Sequence, residues 1–329
     1  MFEENEVSIK ANGGTELAKR HLAALLPATL QSEFQIICSR VRELDESKIR
    51  IYWVHDLPED PECSKLENPD FRSQFHKIVY VSNWQYNTFR DYLNIPYSEN
   101  DIIIENGIEP IEPNPNKNND TIHLVYTSTP QRGLGILIPV FEALQKQHNN
   151  IHLHVFSSFK IYGWDEKDME FEPLYERCKN NPNITYHGYV PYEQVRETIS
   201  NSHILAYPCV WRETSCRALI EGMSGGLLCV HPNFAALPET SGGLNLMYQG
   251  DMEPTKHAQA FAHALHSAID QVKGNNISNY LQFTKTYADT RHNISKITSL
   301  WQWQMEELLG RFPTEESRKF SKRELVFKV

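Results

Sequence analysis

Two carboxylates, Glu213 and Glu221, are separated by seven residues and entered from the apolar run 203–210. If the segment after Glu213 opens a helix, Thr214, Ser215, Cys216 and Arg217 form its first turn. Backbone N–H groups there have no partner inside the helix and attract anions. That spacing predicts a phosphate site between two acids: Glu213 reaches a polar group beyond the phosphates, and Glu221, two turns in, accepts from vicinal hydroxyls on the helix flank. A sugar, a diphosphate and a ribose fit that order. Glutamates eight residues apart on an amphipathic helix also occur simply as solvated positions. A small-residue turn, Gly222-Met223-Ser224-Gly225-Gly226, and a second apolar run at 227–232 follow, so the pair belongs to a strand–helix–strand unit with its chemistry at the carboxyl end of the first strand.

Three other places could contribute chemistry. Gly13-Gly14 ahead of Thr15-Glu16 permits close backbone approach to a ligand at a helix start, or forms a plain turn with a Thr cap. Arg132-Gly133-Leu134 follows the run 122–127, where a guanidinium can hold phosphate oxygens in a bidentate manner or serve as a surface arginine in a turn. His55-Asp56 ends the run 49–54, where the imidazole can bond a sugar hydroxyl or cap the surface. No apolar run ends in Asp-x-Asp, the usual holder of a divalent ion on a nucleotide-sugar, and the spacing of Asp165 and Asp168 is wrong for it. A metal-independent site without a cofactor is expected, with Arg132 and two helix N-termini supplying the positive charge.

Period and punctuation give the elements that must position these residues. Strands are expected at 34–38, 49–55, 77–82 and 101–105, with helices at 16–26, 68–75 and 84–93. The Pro/Asn-rich stretch 109–120 cannot bury a core and reads as an interdomain linker. A second block has strands at 122–127, 151–156, 184–187, 203–207, 227–231 and 244–248, with helices near 134–147, 173–179, 192–200, 216–223 and 257–272. The alternation predicts an α/β fold of two doubly wound domains facing a cleft, 1–117 and 118–292, followed by a helix over 295–309 and a tail from 311.

At 329 residues the chain can bury two cores. The formal charge of −10 is concentrated in the first third, which disfavours a nucleic-acid partner and leaves at most peripheral membrane contact. No apolar run is long enough to span a membrane and the first residues are acidic, so a cytoplasmic location is expected. Six scattered cysteines without metal-ligand spacing read as buried reduced thiols.

The run from Tyr207 to Glu213, the segment opening at Glu221 and Ala236-Leu237-Pro238-Glu239 resemble the C-terminal signature of the retaining glycosyltransferases of family 4. The resemblance extends over most of 12–310, through Gly13-Gly14-Thr15-Glu16, Val81-Ser82-Asn83-Trp84, the run 104–108, Gln131-Arg132-Gly133-Leu134 and the run 186–190. It implies the GT-B fold, with the last helix crossing back to the first domain. By resemblance Glu213, His55 and Arg132 serve catalysis. Gly13, Gly14, Ser128, Thr129, Gly133, Thr214, Ser215, Cys216 and Glu221 bind the donor, and Asp56 and Glu16 lie on the acceptor side. The implied reaction moves a hexose-type sugar from a nucleotide-diphosphate sugar to a hydroxyl of a glycan, a lipid-linked sugar or a small molecule, with retention and no metal.

Two departures stand out: only the weak run 6–10 precedes the glycine pair, and Ser128-Thr129 occupies the place of a family arginine, leaving Arg132 as the single cation of that loop. A nucleotide-sugar 2-epimerase and a non-catalytic nucleotide-sugar-binding module are the alternatives. A dehydrogenase is disfavoured, since no G-x-G-x-x-G sits at a strand-to-helix turn.

Overall fold

The computed structural model describes residues 1–2 and 13–319. In chain order the main elements open with α1 (Gly14–Leu25), β1 (Phe34–Cys38), β2 (Ile49–Trp53), β3 (Lys77–Tyr80), α2 (Asn83–Leu93) and β4 (Asp101–Ile103). There follow β5 (Ile122–Thr127), α3 (Leu134–Leu144), β6 (Ile151–Phe156), α4 (Glu172–Lys179), β7 (Ile184–Tyr186), α5 (Tyr192–Asn201), β8 (Ile204–Ala206), α6 (Arg217–Ser224), β9 (Leu228–Pro232) and β10 (Leu246–Tyr248). Three helices finish the chain's larger elements: α7 (Pro254–Gly274), α8 (Ser278–Arg291) and α9 (Ile294–Arg311). Of the described residues, Met1, Phe2, Gly14–Asn106 and 294–319 form one compact unit, and Gly13 with Gly107–Asn293 forms the other.

The first unit is built on a parallel sheet ordered β1-β2-β3-β4. Strands β1, β2 and β3, rich in Ile, Val and aromatic residues, are buried on both faces, and β4 is half-buried. The period of two sorts the side chains cleanly. Phe34, Ile36, Ile49, Ile51, Trp53 and Val79 point to one face, against Leu22 of α1 and Trp301, Met305 and Leu308 of α9. Ile37, Tyr52, Ile78 and Tyr80 point to the other, against Phe89 and Leu93 of α2. Trp53 and Trp301 meet with ring centroids 4.8 Å apart. Ser82 caps α2 by accepting from Gln85 N–H, and Asn94 ends it in the left-handed conformation at φ 50°. The expected helix at 68–75 shortens to Pro69–Arg72, and the run 6–10 lies outside the described residues.

The second unit has six parallel strands ordered β10-β9-β8-β5-β6-β7. From β5 the chain winds outward to β7, returns to β8 on the opposite side of β5, and winds outward again. The sheet therefore reverses between β5 and β8, and the crevice at their carboxyl ends is where such sheets receive ligands.

The stretch 109–120, expected to link domains, is instead docked on this unit. Ile111 is buried and its N–H donates to Ser224 Oγ at 2.8 Å. Arg196 donates to the Glu109 and Pro110 carbonyls, and Lys285 Nζ to the Ile111 carbonyl. Prolines without N–H groups leave carbonyls to be satisfied, and cations from α5 and α8 satisfy them. Helix α8 has no sequence forecast because its inward face is polar: Thr284 and Lys285 are buried beside Ala288, with Lys285 Nζ also 2.7 Å from Asp289 Oδ2 and 3.0 Å from the Ser224 carbonyl.

Candidate active site

The residues with the most suggestive chemistry gather at the reversal of the second sheet. After β5 the chain runs through Ser128 and Thr129 into a single 3-10 turn, Pro130–Arg132, and then Gly133 at φ 135°. After β8 it runs from Tyr207 to Cys216. The two loops press together at Gly133: a Cβ there would come 2.3 Å from the Pro208 carbonyl oxygen, so both the positive φ and the close approach demand glycine. Val210 N–H donates to the Arg132 carbonyl at 3.2 Å, fixing the loops further.

This contact delivers Arg132 to Glu213. Arg132 Nη1 donates to Glu213 Oε1 at 2.6 Å, with the two side chains 23 % and 7 % exposed. Tyr207 OH donates to the same oxygen at 2.7 Å. Arg132 Nη2 reaches Tyr162 OH at 3.4 Å, and its guanidinium lies 5.9 Å from the centroid of the half-exposed Trp211 ring. Burial alone would lower the Arg132 guanidinium; the charge of Glu213, with Tyr162, Tyr207 and Cys209 behind it, outweighs that and raises it well above its ordinary value. Burial likewise pushes the Tyr207 phenol and Cys209 thiol up, so both are neutral donors. Ser128 Oγ lies 3.4 Å from Tyr207 OH. Arg132 Nε and the hydroxyls of Thr127 and Thr129 are buried without a hydrogen-bond partner. Such orphans are costly in a finished core, and unsatisfied polar atoms of three residues at and beyond one strand end mark a place for a polar ligand.

The helix after Glu213 begins later than its sequence suggests. Cys216 is its N-cap, extended at φ −90° and ψ 97°, and α6 starts at Arg217, so Thr214 and Ser215 are bends before it. The first helical bond is Ile220 N–H to the Cys216 carbonyl. The N–H groups at the open end are therefore those of Arg217, Ala218 and Leu219, one turn further on than expected.

Glu221 is likewise not an open flank position. It is 4 % exposed and Oε1 takes hydrogen bonds from Arg217 Nε at 2.6 Å and Tyr192 OH at 2.5 Å. Arg217 also donates to Tyr192 OH at 2.9 Å and the Gly107 carbonyl at 3.2 Å. Burial lowers Arg217 but Glu221 and Tyr192 outweigh it, and burial followed by the Glu221 charge moves Tyr192 up to about 12. Arg217 four residues before Glu221 is a helical ion-pair spacing legible in the sequence; nothing local signals Tyr192, Tyr207 or Tyr162.

The remaining candidates belong to the first unit, apart from Gly13, which groups with the second. Gly14 opens α1, and a Cβ there would meet nothing within 4 Å, so no protein contact demands glycine. Glu16 sits half-buried in the same first turn. His55 and Asp56 follow β2: His55 N–H donates to Ser39 Oγ at 3.0 Å, its ring centroid lies 4.5 Å from that of Trp53 with the planes tilted at 54°, and Gln85 Nε2 donates to the Asp56 carbonyl at 2.9 Å. The half-buried His55 ring is pushed down to about 3, chiefly by burial and then by the Lys19 charge, so it is neutral at neutral pH. Burial raises Asp56, opposed by a hydrogen bond from Ser39.

Solved structures share this architecture. A sucrose-phosphate synthase from Thermosynechococcus elongatus is 12 % identical, with a TM-score of 0.63 over 90 % of this chain and 79 % of its own. A glycosyltransferase from Rickettsia africae is 15 % identical, with a TM-score of 0.64 over 92 % and 82 %. Anabaena HepE, solved with UDP and glucose, is 13 % identical, with a TM-score of 0.59 over 90 % and 81 %. The class is that of the GT-B glycosyltransferase folds, with parallel α/β units of this kind. The model of the family described as glycosyl transferases group 1 matches residues 108–280, more than half of the sequence, and the chain belongs to that family. No curated protein sequence matches it significantly. Among the described residues no helix is long and apolar enough to cross a membrane.

Proposed function

We propose that this protein transfers a hexose-type sugar from a nucleotide-diphosphate sugar to a hydroxyl acceptor, with retention of anomeric configuration and without a metal ion. The observation that carries the reading is the Arg132–Glu213 pair at the sheet reversal, with Arg132 Nε and the Thr127 and Thr129 hydroxyls buried and unsatisfied around it. Arg132, the nearby hydroxyls and the open end of α6 would hold the diphosphate, while Glu213 would orient sugar hydroxyls and Glu221 the ribose. The UDP and glucose bound by HepE support a nucleotide-sugar as the ligand class. Gly14, free of any steric need, supports backbone approach to the donor, with Gly13 beside it. His55, Asp56 and Glu16 are assigned to the reacting sugar and acceptor.

In the proposed step the bond from the anomeric carbon to the phosphate oxygen breaks as the acceptor oxygen bonds to the same face. The acceptor proton passes to the departing phosphate oxygen, and charge growing on the diphosphate is stabilised by Arg132. Metal independence rests on the missing Asp-x-Asp pair and on carboxylates already engaged by guanidinium groups.

A nucleotide-sugar-binding module without turnover is the second reading, favoured by Ser128-Thr129 standing where the family has a second cation. A thermal-shift screen across UDP-, GDP- and ADP-sugars, followed by proton NMR of the first product, tests the reading. A retained configuration on a glycosylated acceptor supports it. Stabilisation without turnover selects the module, free epimerised sugar selects a 2-epimerase, and an inverted product eliminates the retaining mechanism.

A further inference from the structure

The opposite edge of the second unit holds a cluster that the transfer chemistry does not use. His266 and Asp270 lie four residues apart on α7, on one face of the helix. Between α3 and β6 the chain brings His148, buried, against them. His148 Nε2 is 2.8 Å from His266 Nδ1, and His266 Nε2 is 3.4 Å from Asp270 Oδ2. One ring nitrogen of each histidine and one carboxylate oxygen lie within 4.8 Å of one another. His266 and Asp270 border an open groove lined also by Ser267, Gln271 and Asn276, which leaves room for a water ligand.

As it stands, the cluster is a hydrogen-bond chain. Lys273 Nζ sits 2.7 Å from His148 Nδ1, and an ammonium only donates. Nδ1 therefore accepts, Nε2 carries the proton and gives it to His266 Nδ1, and His266 presents its other N–H towards Asp270.

We propose that His148, His266 and Asp270 form a binding site for a divalent transition-metal ion such as zinc, which displaces Lys273. Two imidazole nitrogens and a carboxylate oxygen suit zinc, cobalt or nickel rather than magnesium or calcium. Metal–ligand bonds of about 2.0–2.2 Å in a tetrahedron put ligand atoms about 3.3 Å apart, so the two imidazoles separate by roughly half an ångström. Coordination through Nε2 also moves the His148 proton to Nδ1, which then faces Lys273 donor to donor. Lys273 is exposed and can swing into solvent, so ion and lysine contact exclude each other. His148 stands just ahead of β6, at the amino edge of the sheet, whereas Arg132 and Glu213 stand at carboxyl ends. The ion thus rivets α7 to the α3–β6 connection and plays no part in transfer, and the inference is independent of the proposed function.

The test is calorimetric titration of zinc sulfate into the chelator-treated full chain, with cobalt absorption as the geometric probe. Expected are one ion per chain, a tetrahedral cobalt spectrum and a raised melting temperature. Affinity should fall at least tenfold in Asp270→Asn, whose side chain is exposed and whose change spares the fold, and rise several-fold in Lys273→Met. A chain that binds no zinc at 100-fold molar excess overturns the proposal. So does zinc affinity unchanged in Asp270→Asn, or weakened in Lys273→Met.

Discussion

Removing one member of the Arg132–Glu213 pair tests whether this cluster is the coupled polar centre of the second unit. The pair is mostly buried and joined at 2.6 Å, with Tyr207 donating to the same carboxylate oxygen. Deleting one partner of a buried ion pair costs about 3–5 kcal/mol, mainly because the other charge is left unpaired. Arg132 is 23 % exposed, which admits some water, so Arg132→Met should cost about 3 kcal/mol. That corresponds to a fall in melting temperature of about 6–12 °C for a unit of this size. Glu213→Gln leaves the more solvent-accessible partner behind and should cost about 2 kcal/mol. The double variant leaves no orphan charge, so it should be more stable than the sum of the singles implies by about 2 kcal/mol. Urea unfolding of the four proteins, at matched pH and salt, completes the cycle. Additivity within about 0.5 kcal/mol would refute the argument, because it would mean that each group is solvated on its own.

The other expectations concern neighbouring features. Glu221→Ala should weaken nucleotide binding by about 1–3 kcal/mol and also destabilise the unit by about 3 kcal/mol, since Arg217 is left buried without its carboxylate; calorimetry and urea unfolding read the two effects separately, and an unchanged nucleotide affinity removes Glu221 from the site. Gly133→Ala should lower the urea midpoint sharply, because the Cβ meets the Pro208 carbonyl at 2.3 Å, and a neutral result would contradict the loop contact. Transfer activity should survive EDTA, and loss with rescue by manganese would sink the metal-free mechanism. Acid should destabilise the fold. Burial holds His55 and His154 down to about 3 and His76, His203 and His231 down to about 4, so they stay neutral in the folded chain while the unfolded chain takes up protons below about 6.5. Stability is therefore full above that pH and falls as pH drops towards the folded values, by about 1.4 kcal/mol per pH unit for each proton difference. Asp101, raised by burial to about 6, offsets one such proton between about 6 and 4. A urea midpoint constant from pH 7.5 to 5 would show that these rings are not held neutral.

Strands were the most legible part of the chain because short Ile/Leu/Val/Phe-rich runs bounded by polar residues mark buried parallel strands: 34–38, 122–127 and 151–156 match to the residue. Helices with apolar stripes were legible to within a few residues at their ends. Legibility failed where polar contacts replace apolar ones. Helix α8 packs through Thr284 and Lys285, and the Pro/Asn-rich stretch is held by Arg196 and Lys285, none of which has a periodic signature. At the candidate site, residue types and their order along the chain placed Arg132 and Glu213 each beyond the carboxyl end of its own strand, and the structure makes those strands neighbours. Sequence could not say that the two would pair with each other, because that depends on Gly133 letting the loops touch. Nor could it show that Glu221 faces inward, since the Tyr192 hydroxyl that receives it comes from the preceding helix.

The return of α9 to the first sheet has a consequence for how the polypeptide acquires its shape as it leaves the ribosome. Trp301, Met305 and Leu308 complete a core whose other half, from Phe34 to Val79, is made much earlier. Between the two lies the whole of Gly107–Asn293, which takes roughly 10–40 s to synthesise at about 5–20 residues per second. For that interval one face of the nascent first sheet has no α9 to cover it, and the later, contiguous unit gains all of its strands before α9 is made. The usual order of amino-terminal domain first is thereby inverted, and the interval is when Phe34, Ile51 and Trp53 are most open to aggregation or to capture by a chaperone.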